Sequence, residues 1–329
     1  AGTIAIAFDA PTNSSGDYFK ISLTNSSGVV LAAQETGKDT TFSAGVGSSG
    51  DYYAFVEKDY YYDSGQYSLT ATTTVGNTSG AESEDNNSQA NADTVTSGTA
   101  IKGQLSSTSD KDYYKITTSG AGTIAIAFDA PTNSYTDYFK LKLTDSSGTV
   151  IAAQDTGTDT SFNAGVGSAG SYYVYVEKDT YYDSGQYFLL VTATPGSTTG
   201  IETEDNNSQS NADTLTSGTA IKGQLSSSTD KDYYKITTSG AGTIAITFDA
   251  PTNSSLDYFK LKLTDSSGTV LAAQETGKDT SFSAGVGSAG NYYVYVDSYR
   301  TSFGSVYHDS GEYGVTASTS SVVGNMETE

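Results

Sequence analysis

Apolar and polar residues alternate in short runs along the whole chain. In Ile124-Ala125-Ile126-Ala127-Phe128 the large apolar side chains of Ile124, Ile126 and Phe128 fall on one face. Phe139-Lys140-Leu141-Lys142-Leu143 keeps the pattern with lysines on the opposite face. Tyr172-Tyr173-Val174-Tyr175-Val176 and Tyr187-Phe188-Leu189-Leu190-Val191 follow it. A period of two with one apolar face marks half-buried strands of an antiparallel sheet. Turn-forming runs separate them, such as Asp145-Ser146-Ser147-Gly148, residues 165–170 and Asp183-Ser184-Gly185. The pattern predicts eight strands, at 99–105, 111–117, 122–130, 138–145, 149–156, 160–166, 171–178 and 186–194. No window carries helical periodicity. This spacing predicts an all-β chain of antiparallel two-sheet sandwiches of jelly-roll type.

The strand pattern repeats. AGTIAIAFDAPTNS at 1–14 recurs unchanged at 121–134 and with one change, Thr247, at 241–254, giving a period of 120 residues. Residues 84–126 match 204–246 at all but four positions. A period this long is a whole domain rather than a solenoid turn. The expected organisation is an N-terminally incomplete repeat at 1–78, a complete repeat at 79–196, a complete repeat at 197–321 and the start of another linker at 322–329. The third repeat carries a six-residue insertion near 297–309. Linkers fall at 72–83 and 194–203, rich in Thr, Gly and Ser. The missing first strands fit either a piece of a longer array or completion by a neighbouring chain.

Composition narrows the chemistry. With 16 basic against 38 acidic residues the formal charge is −22, which argues against nucleic acid and anionic lipid as partners. There is no Cys and one His, so thiolate and multi-histidine metal sites are out of reach. No stretch is apolar enough for a membrane span, so no membrane insertion is expected. A Ser-His-Asp triad would have to use His308, which occurs in one repeat of three near-identical ones, so no enzyme is expected.

The densest polar cluster is Glu82-x-Glu84-Asp85-Asn86-Asn87 with Asp110-Lys111-Asp112, repeated as Glu202-x-Glu204-Asp205-Asn206-Asn207 with Asp230-Lys231-Asp232. Oxygen-only ligands at this density suit a hard cation, Ca²⁺ before Mg²⁺ or Zn²⁺. The EF-hand spacing is absent.

The run Glu84-Asp85-Asn86-Asn87-Ser88, then Ala92-Asp93, Gly103-x-Leu105 and Asp110-x-Asp112-Tyr113-Tyr114, resembles the bacterial pre-peptidase C-terminal domain. Gly170-x-Tyr172-x-Val174-x-Val176 and Gly185-x-Tyr187-x-Leu189 extend the resemblance over nearly all of the chain. It implies a β-sandwich of secreted proteins, related to the collagen-binding domains of clostridial collagenases, with Ca²⁺ held by linker acids and an Asp-x-Asp pair. Carried over by position, the implied metal ligands are Glu82, Glu84, Asn86, Asn87, Asp110 and Asp112, and likewise Glu202, Glu204, Asn206, Asn207, Asp230 and Asp232. Asn87 and Asn207 stand where some relatives carry Asp, which removes one negative charge per site.

Tyrosine is the second cluster. Tyr173 and Tyr175 point away from the inward Tyr172, Val174 and Val176, and Asp59-Tyr60-Tyr61-Tyr62-Asp63 is matched by Asp179-Thr180-Tyr181-Tyr182-Asp183. Tyr53, Tyr61, Tyr173, Tyr175, Tyr181, Tyr182, Tyr293 and Tyr295 are the candidate surface-binding residues. Tyrosine's preference for strands accounts for the same residues without a ligand. The function expected is a non-catalytic, secreted or cell-surface structural or adhesive protein. Its tandem sandwiches would be stiffened by Ca²⁺ at the linkers, and its partner would be itself, in a filament or array, or an extracellular protein or glycan surface. The alternative is a collagen- or polysaccharide-targeting module of a secreted hydrolase.

Overall fold

The computed structural model describes residues 1–12, 18–61, 63–76, 80–131, 138–251, 258–300, 306–307 and 311–321. His308, Tyr62, most of the inserted loop and the last linker lie outside the described residues.

The alternating runs form strands as their patterning requires. In the second repeat one sheet is ordered Thr160–Val166, Gly122–Asp129, Tyr187–Pro195, Thr99–Gly103. The facing sheet is ordered Val150–Thr156, Phe139–Thr144, Gly170–Lys178, Lys111–Thr118, with the two-residue Asp93–Thr94 at its edge. This is the strand order of a jelly roll. All eight expected strands are present. Asp93–Thr94 is an addition, and it pairs parallel with Tyr114 and Lys115. Register puts Ile124, Ile126 and Phe128 opposite Ala193, Val191 and Leu189, so the apolar faces of both strands point inward together. They pack with Phe139, Leu141, Leu143, Val174 and Val176 from the other sheet. The third repeat has the same order and an equivalent core. Among the described residues there is no α-helix, and no helix is long and apolar enough to cross a membrane.

The first repeat differs in what is missing. Its strands make two three-stranded sheets, Thr40–Val46, Gly2–Asp9, Ser68–Val75 and Val30–Thr36, Phe19–Asn25, Tyr52–Lys58. Among the described residues no strand takes the places of Thr99–Gly103 and Lys111–Thr118, which cover the second repeat's core on one side. Tyr67 is accordingly 46% exposed, whereas its counterpart Tyr187 is fully buried. Ala54, the counterpart of the buried Val174, is exposed as well.

Edge strands of the first unit meet a turn and the linker of the second. Val30–Thr36 and Thr40–Val46 are edge strands of the first unit. Ser184 and Gln186 in the turn before Tyr187, together with the linker at 82–83, close them. The Glu35 amide donates to Ser184 Oγ at 3.2 Å. Gln186 Nε2 donates to the Ser43 carbonyl at 2.9 Å. Gly45 and Ser83 form a parallel bridge, repeated as Gly165 and Thr203 at the next joint. An open strand edge is a template for stray pairing, and these contacts occupy part of it.

Candidate metal centre at the unit joints

The linker acids and the second strand of each repeat converge. Lys111–Thr118 turns Asp112, Tyr114 and Ile116 inward, so a carboxylate enters the sandwich beside apolar neighbours. The linker brings Glu82 and Glu84 to the same place, and carboxylate oxygens of Glu82, Glu84 and Asp112 lie within 4.8 Å of one another. Glu202, Glu204 and Asp232 repeat the cluster. Oxygens around a single Ca²⁺ lie up to about 5 Å apart, so a set of this width fits one ion.

Three side-chain oxygens in each cluster are buried without a hydrogen-bond partner: Glu84 Oε1, Asn86 Oδ1 and Asp112 Oδ1, and equally Glu204 Oε1, Asn206 Oδ1 and Asp232 Oδ1. Buried polar atoms are normally paired, and all six are acceptors. The donor set therefore fits a hard cation. Lys111, next in sequence to the acids, turns its ammonium to Glu177 at 2.6 Å and does not neutralise the cluster.

Electrostatics point the same way. Burial pushes the Glu82 carboxyl up to about 8, with the Asp110 charge adding to the shift. It pushes Glu84 up to about 10, helped by the charges of Glu82 and Asp110. Asp112 is raised well above the usual carboxylate range for the same reasons. At the second site burial raises Glu202 to about 8 and Glu204 to about 9. Carboxyls held this far from water and this close together keep their protons unless a positive charge replaces them.

Two buried tyrosines form the floor. Tyr114 donates to Glu82 Oε2 at 2.6 Å and Tyr187 donates to Asp112 Oδ2, with the two hydroxyl oxygens 2.7 Å apart. Tyr234 and Tyr313 do the same for Glu202 and Asp232. Gly103 leaves the space for them, since a Cβ there would collide with the Tyr114 hydroxyl and the Tyr187 ring. Glu82 Oε1 accepts from the Gln104 amide at 2.6 Å. Asp93 steadies the linker, accepting from the Ser83 amide at 2.7 Å and from Asn86 Nδ2 at 3.3 Å.

The expected ligands divide. Glu82, Glu84 and Asp112 come together, as do Glu202, Glu204 and Asp232, and the buried Asn86 and Asn206 adjoin them, their backbone amides donating to Glu84 Oε2 and Glu204 Oε2 at 3.3 Å. Asn87 and Asn207 do not join them. Both are exposed, and their side-chain oxygens accept from the Lys111 and Lys231 amides at 2.8 and 2.9 Å. Asp110 is occupied in holding its turn, with Oδ2 accepting from both the amide and the hydroxyl of Ser106 at 2.6 Å. Asp230 holds Ser226 likewise. Their charges still act on the cluster.

The tyrosine expectation needs correction. Tyr53, Tyr61 and Tyr181 are exposed. Tyr173 and Tyr175 are half-buried, and the Tyr175 ring stacks on Tyr113 with centroids 4.7 Å apart. Tyr182 packs on the core and donates its hydroxyl to the Leu105 carbonyl at 2.9 Å. Tyr293 and Tyr295 are only 9% and 7% exposed. Of the eight, Tyr293 and Tyr295 are buried, Tyr173, Tyr175 and Tyr182 are half-buried, and Tyr53, Tyr61 and Tyr181 are exposed, so equivalent positions differ in exposure from repeat to repeat.

Tyr114, Tyr187, Gly103 and Gln104 belong to the site without standing out as site residues in the sequence. The available signal was Asp112, an acid on the inward face of an alternating strand that also places Tyr114 inside.

Neither the protein-family models nor the curated proteins give a match. Solved structures do. The chain is similar to the pre-peptidase C-terminal domain of a collagenase from Bacillus anthracis, at 24% identity over 31% of this chain and 94% of that one, with a TM-score of 0.26. It is also similar to the tandem CBM22-1–CBM22-2 domains of Xyn10C from Paenibacillus barcinonensis, at 11% identity over 63% and 82%, with a TM-score of 0.23. Similarity of this degree carries no argument about function.

Proposed function

We propose that the chain is a non-catalytic structural segment of an extracellular protein, a tandem array of jelly-roll units whose joints are locked by Ca²⁺. The observation that carries this reading is the recurrence of three partnerless buried oxygens, on Glu84, Asn86 and Asp112 and on Glu204, Asn206 and Asp232, where one unit follows the next. Glu82, Glu84, Asn86 and Asp112 would hold the first ion, and their counterparts the second. Ca²⁺ suits the set because it accepts six to eight oxygens in irregular geometry, whereas Mg²⁺ demands a strict octahedron. A site outside the cell needs a dissociation constant of only about 10⁻⁴–10⁻³ M to be filled.

The linker placement gives the ion its role. Glu82 accepts a hydrogen bond from Gly45 of the preceding unit through its carbonyl, at 3.0 Å, while its carboxylate belongs to the cluster. An ion that fixes Glu82 therefore fixes the joint and removes linker entropy of roughly 1–2 kcal/mol per residue ordered. Limited proteolysis tests the reading. Chelator should speed nicking at 72–84 and 194–204, and equal cleavage with and without Ca²⁺ contradicts it.

A further inference from the structure

We propose that Gln104 and Gln224 tie the state of the cation site to the docking of each unit on the one before it. The proposal rests on the reading above and names the residue through which the joint responds.

Gln104 is 1% exposed and serves three parties at once. Its backbone amide donates to Glu82 Oε1 at 2.6 Å, inside the cation cluster. Its side-chain Nε2 donates to the carbonyl of Ala33, in an edge strand of the first unit, and to the carbonyl of Ser184, in a turn of the second. The Ser184 hydroxyl in turn accepts from the Glu35 amide at 3.2 Å and Gln34 Nε2 at 3.4 Å. One buried residue thus links a candidate metal ligand to both sides of the joint. Gln224 is also buried, and its amide donates to Glu202 Oε1 in the same way.

The chemistry explains why glutamine stands here. Two carbonyls converging on one atom need a group with two N–H donors, and a primary amide supplies them. Glutamate would aim negative oxygens at both carbonyls. Methionine has similar length and no donor. Gln104 Oε1 is buried without a hydrogen-bond partner, but its two N–H groups are both bonded, and leaving them unpaired is costly, so Gln104 favours the docked arrangement over any in which Ala33 moves away.

The edge-strand position that Gln104 grips recurs in sequence on the following units. Ala33 and its counterpart Ala153 are 1% and 3% exposed, while Ala273 in the third repeat is exposed. The partner that fits this edge is another unit of the same kind, presenting its linker acid and its glutamine together.

Coupling of this sort is reciprocal. An ion that holds Glu82 holds the Gln104 backbone, and a docked neighbour that holds the Gln104 side chain favours the ion. The test uses the full chain carrying Gln104→Met, with Ca²⁺ affinity and the rates of nicking at 72–84 and 194–204 measured together. Methionine keeps the backbone amide, so two ions should still bind. Affinity at the first site should weaken by roughly 5–150-fold, the range of typical coupling. Ca²⁺ protection should be lost at 72–84 and kept at 194–204. Protection at 72–84 equal to the unsubstituted chain overturns the proposal. Absence of Ca²⁺ binding by the unsubstituted chain would instead sink the metal reading itself. If Gln104→Met exposes 99–118 to cleavage, showing a damaged second unit, Gln224→Met answers the same question at 194–204.

Discussion

Gly45 of the first unit and Glu82 of the linker lie so close that the glycine amide donates to the Glu82 carbonyl at 3.0 Å, and a Cβ on Gly45 would collide with that oxygen. A Cβ on Gly165 would likewise collide with the Glu202 carbonyl oxygen at the next joint. Gly45→Ala should therefore force the linker off the edge strand, at a cost of about 1–3 kcal/mol for the overpacked contact. Gly47 has nothing within 4 Å of where its Cβ would be, so Gly47→Ala serves as control. Gly45→Ala should speed nicking at 72–84 and leave 194–204 unchanged. Two variants with identical cleavage would show that the close approach does not matter to the joint.

Tyr187→Phe removes the hydroxyl that donates to Asp112 and keeps the ring packed against Phe128, at a centroid distance of 5.0 Å. Groups that orient metal ligands typically contribute 10–100-fold to affinity. The first site should weaken by roughly that factor while the second, built on Tyr313, is untouched. Isothermal titration separates the two. Unchanged affinity at both sites would mean that the tyrosine is only a core residue.

Protons and the cation compete for the same carboxyls. Burial raises Glu82 from 4.5 to about 8 and Glu84 from 4.5 to about 10. Between those values the cation-free folded chain binds more protons than the unfolded one, so its stability falls as pH rises through that window. The shifted carboxyls stabilise the fold only when protonated, and Ca²⁺ makes that proton unnecessary. The rise in melting temperature on adding Ca²⁺ should be larger at about pH 9 than at about pH 5. An equal rise at both would contradict the assignment of these groups to the site.

The strands were legible because alternation continues without interruption. Ile124, Ile126 and Phe128 could share a face in no other regular structure, and the 120-residue period fixed where the pattern restarts. The acids were legible as a cluster, but not which of them converge. Asn87 and Asp110 sit in the same motifs as Asn86 and Asp112, and only the turn geometry sends Asn87 to the Lys111 amide and Asp110 to Ser106. Burial of Tyr293 and Tyr295 was invisible because alternation places both on the outward face. Gln104 was silent for a different reason: its partners Ala33 and Ser184 lie 71 and 80 positions away in the chain.

The first unit offers a test of the fold's internal logic. Residues 80–120 hold the second unit's strands Thr99–Gly103 and Lys111–Thr118, which have no counterpart in the first unit, and Ala121 corresponds to Ala1. Placing a copy of residues 80–120 directly before Ala1 should bury Leu69, Val56 and Tyr67, which are incompletely covered now. Apolar area so buried contributes about 25 cal/mol per Å². The extended chain should show a higher melting temperature for the first unit and slower hydrogen exchange in strands Tyr52–Lys58 and Ser68–Val75. Unaltered exchange in those strands would show that the added segment does not take the places of Thr99–Gly103 and Lys111–Thr118.

A cation at each joint is what locks the units in this proposal. Calorimetric titration of the chelator-stripped full chain with CaCl₂ measures that directly. The expected result is two ions per chain, falling to one in Asp112→Asn and to none when Asp232→Asn is added. A titration with no heat beyond dilution and no change in melting temperature would contradict it.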